Sequence, residues 1–310
     1  MTHLRAQTAD RVARVGVLQF GELNAERQRY YEGFRQGLHA LGWDEGHNLV
    51  LDARYADSKP DRLKELATAL TATKPDVIIA LGGVSTVRAL QATTATIPVI
   101  MVGTAVDPVR AGFVQSLAQP GGNITGLISL GPALNEKRLE FIKEVAPRAT
   151  RIGIVLNPEI WSIEDLRPSA SAFGLTLTPI AIRRPEDLPR IPHQITTAGV
   201  EALVLLTDPG VLESHLAETL RLVLQTRLPT IFPWRSYVVA GGLMSYATSL
   251  EDLYRRAALT VDRILKGASP ATLPVEQPVK FELVINLRTA RELGIEFPAG
   301  LLSRADEVIE

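Results

Sequence analysis

Arg14-Val15-Gly16-Val17-Leu18 returns later in the chain as Arg151-Ile152-Gly153-Ile154-Val155. Both are short, nearly continuous apolar runs. Strands buried on both faces of a parallel sheet read this way, because neither side needs polar alternation. Each run opens a set of four candidate strands. The first set is Arg14–Phe20, Asn48–Tyr55, Asp76–Leu81 and Pro98–Gly103; the second is Arg151–Asn157, Leu175–Ile182, Ala202–Thr207 and Pro229–Trp234. Amphipathic stretches lie between them, at Glu26–Leu41, Pro60–Thr73, Ser85–Thr94, Glu136–Val145 and Leu212–Thr226. Strand–helix alternation with short loops means βαβ units and a parallel sheet. The fold class expected is α/β, with two doubly wound parallel-sheet lobes.

Three later segments read as crossings between lobes. Pro120-Gly121-Gly122-Asn123 leads into Ile124–Ser129, Gly241-Gly242 leads into Leu243–Ala247, and a proline-rich stretch, Pro270–Pro278, leads into Phe281–Ile285. A helix over Leu253–Lys266 ends at Gly267, and another is expected over Arg288–Leu293. The expected division is residues 11–126 plus 242–268 for the N-terminal lobe and 127–241 plus 269–310 for the C-terminal lobe. Three crossing strands that bend together form a hinge.

Composition narrows the function. The 310 residues carry a formal net charge of -1 and no cysteine. Near-neutral charge gives no electrostatic footprint for nucleic acid or an anionic membrane. Lack of cysteine removes disulfides, thiolate metal sites and a Cys nucleophile. No apolar run reaches the ~18 residues of a membrane span. Met1 to Arg14 is polar and lacks a signal-peptide apolar region. Two locations stay open on that basis: the cytosol, or an exported protein whose signal has been removed.

Ligands of open parallel sheets sit beyond the carboxyl ends of the strands. Two facing lobes would gather both sets of strand ends around one cleft. In the first half the loops hold Gln19 and Phe20, then Gly82-Gly83-Val84-Ser85-Thr86, then Thr104 and Asp107. Gly83, Ser85 and Thr86 open a helix, where free N–H groups favour a carboxylate; ordinary capping by Ser85 is the alternative. In the second half the loops hold Asn157, Trp161, Asp208, Trp234 and Arg235. Asp107 and Asp208 each precede proline, so each is either an acceptor for a ligand ammonium or a turn former. Trp161 and Trp234, two of three tryptophans, either sandwich a flat ligand or pack on the lobe surface. Phe20 and Tyr246 are weaker aromatic candidates. Arg235 either pairs with a ligand carboxylate or is a solvated charge.

Nothing assembles an enzyme. None of the five histidines falls in a strand-end loop or forms a two-His metal spacing. There is no Gly-x-Ser-x-Gly elbow, no Gly-x-Gly-x-x-Gly after the first strand, and no Gly-Lys-Ser/Thr after Gly82. No cofactor and no metal are called for.

Several stretches carry a family likeness: Tyr31-Glu32-Gly33-Phe34-Arg35-Gln36-Gly37-Leu38, Gly42-Trp43-Asp44-Glu45-Gly46-His47-Asn48, Asp107-Pro108-Val109, Pro120-Gly121-Gly122-Asn123-Ile124-Thr125-Gly126 and Lys137-Arg138-Leu139-Glu140. Ala240-Gly241-Gly242-Leu243-Met244-Ser245-Tyr246 and Leu273-Pro274-Val275-Glu276-Gln277-Pro278, running into Phe281-Glu282-Leu283-Val284-Ile285-Asn286, match best. From about Arg14 to the end the chain resembles the substrate-binding proteins of ABC transporters, in the group of tryptophan and tyrosine binders. The resemblance implies a type I periplasmic-binding fold and delivery of solute to a membrane permease. It implies a periplasmic or membrane-anchored extracytoplasmic location, with the export signal removed. It also implies that Ser85, Thr86 and Thr104 hold a ligand carboxylate and that Asp208 holds the amine.

The expected function is therefore an extracytoplasmic receptor that closes on a small solute, an aromatic amino acid or related aromatic carboxylate, and hands it to an ABC permease. The expected protein is a monomer, without catalysis and without nucleic acid. The alternatives are the ligand-sensing domain of a regulator with the same fold, and an enzyme acting in the cleft. About a dozen residues precede the first strand, too few for a helix-turn-helix.

Overall fold

The computed structural model describes residues 12–129, 132–208 and 210–310. The chain runs β1 (Ala13–Gln19), α1 (Ala25–Ala40), β2 (Leu49–Tyr55), α2 (Pro60–Ala72), β3 (Val77–Leu81), α3 (Val84–Gln91), β4 (Val99–Thr104) and β5 (Ile124–Ile128). There follow α4 (Pro132–Val145), β6 (Arg151–Leu156), α5 (Arg167–Ala172), β7 (Thr176–Ala181), α6 (Ile191–Ala198), β8 (Ala202–Leu205), α7 (Leu216–Leu224), β9 (Thr230–Phe232) and α8 (Arg235–Val239). The last part is β10 (Met244–Thr248), α9 (Leu250–Leu265), β11 (Phe281–Asn286), α10 (Leu287–Leu293), α11 (Ala299–Leu302) and β12 (Glu307–Ile309).

Two compact units result: residues up to 129 with 250–278, and 132–249 with 279–310. The first holds a five-stranded sheet in the order β2-β1-β3-β4-β5, parallel throughout. The second holds seven strands, β12-β11-β10-β9-β8-β6-β7. Its β7-β6-β8-β9-β10 portion repeats the order of the first sheet, with β11 added antiparallel to β10. The sequence echo thus marks β1 and β6, the equivalent strands of two doubly wound sheets. Its glycines have the same task. A Cβ on Gly16 would meet the Leu70 side chain at 3.1 Å, and one on Gly153 would meet Leu203 at 2.8 Å. In each unit a leucine presses onto the glycine surface of that strand.

Helices cover both faces of each sheet, as a parallel sheet requires. In the first unit α9 buries Leu253, Tyr254, Ala257, Ala258, Val261 and Ile264, a helical stripe that packs with Tyr30, Phe34 and Leu38 of α1. The Trp43 indole donates to Asp262 Oδ1 at 2.9 Å and ties the turn after α1 to α9. Leu63, Leu70, Val87 and Leu90 of α2 and α3 cover the other face. In the second unit α4 and α5 cover one face, and α6 and α7 the other.

Four expectations need correction. Residues 242–249 were expected in the first lobe, but β10 pairs with β9 (Met244↔Ile231) and with β11 (Met244↔Ile285), which places it in the second sheet. Residues 269–278 were expected in the second lobe. Gly121 N donates to Ala271 O, Thr125 Oγ1 to Leu273 O and Val275 N to Leu117 O, which stitches them to β5 and its approach in the first unit. No described strand runs through both sheets; the three passages between units fall beside strands, near residues 130, 249 and 278. The helix expected over Leu212–Thr226 shortens to Leu216–Leu224. Asp208 takes the amides of Gly210 and Val211, while Tyr237 Oη and Thr219 Oγ1 both donate to Leu212 O. Short elements, α5, α6, α8, α11 and β12, carried too little periodicity to be read.

Gly126 sits in β5 at φ 138°, and a Cβ there would lie 2.0 Å from Met101 O in β4. Such a backbone conformation costs an L side chain about 1–3 kcal/mol before any clash is counted. Gly126→Ala should therefore lower the urea midpoint by the equivalent of about 3 kcal/mol or more, against a change of less than about 0.5 kcal/mol for exposed Gly122→Ala.

Candidate ligand-binding loops

Parallel strands deliver all their carboxyl ends to one edge of the sheet, so each unit has one loop-bearing edge. In the first unit β3 and β4 are neighbours, which sets the start of α3 beside Thr104. Gly82 and Gly83 at φ 92° and 86° turn the chain from β3 into α3, whose first turn has no side-chain cap. Ser85 is exposed there and does not take the capping role. Thr86 is buried and donates its hydroxyl to Leu81 O at 2.8 Å, locking α3 onto the end of β3. The Thr104 hydroxyl is fully buried and has no hydrogen-bond partner among the described residues. An unsatisfied buried hydroxyl costs about 1–3 kcal/mol, so this one stands out.

Other first-unit candidates have structural tasks. The Phe20 side chain belongs to the core with Leu63 and Val87, and a Cβ on Gly82 would meet it at 2.8 Å, so it presents no stacking face. Gln19 is buried at the end of β1, and its carbonyl accepts from Ala56 N. Exposed Asp107 is a turn former: Oδ1 accepts from Val109 N at 2.9 Å and Arg110 N at 3.3 Å.

At the second sheet's edge, Asn157, Trp161 and Asp208 come together. Asn157 Nδ2 donates to Asp208 Oδ2 at 3.3 Å, and the Trp161 indole donates to Thr207 O at 2.7 Å. Asp208 is 1% exposed, and its Oδ1 accepts from Gly210 N and Val211 N. Burial pushes its carboxyl above the usual carboxylate range, opposed by bonds from Val211, Asn157 and Gly210. Arg235 does not await a ligand: its guanidinium makes two bonds to Glu307 of β12, at 2.6 and 2.8 Å. The Trp234 indole donates to Glu213 Oε1 at 2.7 Å. Tyr246 lies between Phe141, edge-on at 5.0 Å, and Phe281, stacked at 5.7 Å. A concavity of about 450 Å³ lined by Ala146–Ala149 and Glu201 lies at the amino ends of β6 and β8, the wrong edge for a ligand of this fold.

Glu213 and Arg138 were not among the candidates. Arg138 had a readable signal: it falls on the inward stripe Leu134, Arg138, Phe141, Ile142, Val145 of α4, where a charge is unusual. Glu213 had none.

Two doubly wound sheets joined by three chain passages give the fold of periplasmic binding proteins. Residues 14–309 match the family described as ABC transporter substrate binding protein, and the chain belongs to that family. Its members are binders rather than enzymes, which decides against the catalytic alternative. A "Tyrosine-binding protein" of Clostridioides difficile (strain R20291) is 26% identical over 269 residues, 86% of this chain and 76% of that protein. A "conserved domain protein" of Vibrio cholerae O1 biovar eltor is 30% identical at TM-score 0.86, covering 96% of this chain and all of that one. A Streptococcus pneumonia ABC domain solved with L-Trp is 26% identical at TM-score 0.86, covering 96% and 99%. No helix among the described residues is long and apolar enough to cross a membrane.

The raised carboxyl of Asp208 has a pH signature. A native-state value above the unfolded one means that the folded protein keeps this proton to higher pH, so stability falls as pH rises through that window. Asp208→Asn keeps an acceptor for the two amides and removes the titration. The melting temperature of the variant should gain on wild type as pH rises past the ordinary Asp value of about 3.9, until the native carboxyl is ionised; a constant difference would contradict the assignment.

Proposed function

We propose that this ABC importer solute-binding protein takes an aromatic amino acid or a related aromatic carboxylate, outside the cytoplasm, and delivers it to a membrane permease. The observation that carries the reading is the partnerless buried hydroxyl of Thr104 beside the uncapped start of α3. A hydroxyl donor and a row of helix N–H groups together suit a carboxylate. In the second unit, Asp208 is the acceptor for an ammonium, with Oδ2 engaged by a long 3.3 Å bond, and the Trp161 ring is the aromatic neighbour. A zwitterion needs one charge of each sign met in this way. The names of the C. difficile and streptococcal relatives support tyrosine and tryptophan as first solutes to try.

Thr104→Val separates binding from folding, because it removes the hydroxyl at nearly constant volume. The variant should melt at or above the wild-type temperature without ligand, since a buried unsatisfied group is lost. Its affinity for L-tryptophan and L-tyrosine in calorimetry should fall about tenfold to a hundredfold, the value of a hydrogen bond to a charged group. Wild-type protein at a hundredfold excess of ligand over Kd should gain about 2.7 kcal/mol in stability. Failure of any aromatic amino acid or acid to raise the melting temperature of wild type, or unchanged affinity in Thr104→Val, would sink the reading.

A further inference from the structure

Arg138 is the largest fully buried side chain, at 1% exposure. Its Nε donates to Tyr246 O at 2.8 Å, Nη1 to Asn135 Oδ1 at 2.8 Å and Nη2 to Pro233 O at 3.2 Å. All three acceptors are neutral. Burial pulls its pKa down to about 10, with Glu213 and Tyr246 acting against the shift, so it stays a cation at neutral pH. A buried guanidinium whose hydrogen bonds all go to neutral acceptors, with the Glu213 carboxylate favouring the charged form without bonding to it, persists where its geometry is fixed from several sides.

One acceptor lies where a strand-end loop begins, and another in the strand beside it. Pro233 O belongs to the turn between β9 and α8, directly before Trp234, and Tyr246 O belongs to the neighbouring strand β10. From Pro233 the contacts continue. The Trp234 indole donates to Glu213, Glu213 N donates to Asp208 O at 3.0 Å, and Asp208 Oδ2 accepts from Asn157. A connected path therefore links the guanidinium in α4 to the acid at the end of β8 and the amide at the end of β6.

We infer that Arg138 is a positioning residue for the solute site of the second unit. Its planar fork sets the β9 turn against β10, and Trp234 passes that placement through Glu213 to the turn that holds Asp208. The inference rests on the proposed role of Asp208 in binding. Lysine at 138 keeps the charge and much of the stem, but a single ammonium cannot meet three acceptors in three directions at these distances.

The test compares Arg138→Lys with wild type by melting temperature, by calorimetry with L-tryptophan and L-tyrosine, and by amide hydrogen exchange. Ile285→Val, a core change in β11, controls for general loss of stability. Expected for Arg138→Lys are faster exchange, by tenfold or more, in peptides spanning 208–213 and 233–237, unchanged exchange in 151–156, and a Kd raised about tenfold; Ile285→Val should leave both readouts as in wild type. Trp234→Phe cuts the path at its middle. It should speed exchange at 208–213 while sparing 244–248, and it serves in place of Arg138→Lys if that variant does not fold. Faster exchange with Kd within twofold of wild type, or unchanged exchange at 208–213, would overturn the inference. If wild type binds neither amino acid, the proposed ligand fails, and exchange alone decides the brace: acceleration at 208–213 supports it and none refutes it.

Discussion

A parallel sheet must be covered on both faces, because its strands carry apolar side chains on each side and its connections pack there as helices. That constraint organises each unit. It forces right-handed βαβ crossovers, and the crossovers send β1–β5 of the first sheet, and β6–β10 of the second, in one direction within each sheet. Their carboxyl ends then meet at one edge of each sheet. Topology gathers the loops at Gly82 and Thr104 in the first unit, and those at Asn157, Asp208 and Trp234 in the second, before any of their side chains is considered. The second unit extends the same plan with β11 and β12, and Asn286 at the end of β11 both caps α10 and donates to Val238 O.

Within those edges, side chains divide by what already satisfies them. Thr86, Asp107, Arg235 and Trp234 have partners from the same unit. They hold loops in place. The Thr104 hydroxyl is the contrasting case, because its surroundings remove water without supplying an acceptor or a donor. Asp208 stands between the two groups. Its Oδ1 shapes the turn, while Oδ2 makes a long bond. Its burial raises the energy of the ionised form, which is the state an incoming ammonium would stabilise.

The second unit also carries a buried cation whose hydrogen bonds go to two backbone carbonyls and one side-chain amide. Replacement of such a group by an apolar residue of similar size is often neutral or favourable for stability. What the guanidinium adds is direction. Three bonds to α4, the β9 turn and β10 fix relative positions that apolar packing would leave softer, and the Tyr246 ring packs against Phe141 of the same helix and Phe281 of β11.

Local pattern wrote the secondary structure and the class of fold. Continuous apolar runs, helical stripes and glycine-marked turns gave eleven strands within about two residues of where they lie, because burial on both faces and turn geometry are local demands. The Arg-x-Gly echo located the equivalent strand of each sheet, where a neighbouring side chain, Leu70 of α2 in the first unit and Leu203 of β8 in the second, packs too close for a Cβ. Sheet membership was not legible: β10 reads as a strand in either unit, and its hydrogen bonds to β9 and β11 settle which. The same holds for the engaged side chains. Arg235 meets Glu307 across 72 residues and Trp234 meets Glu213 across 21. Residue type and a strand-end position said that these groups could contact a solute, but their partners are set by long-range packing. A side chain's availability depends on which distant group reaches it first, and no local period encodes that distance.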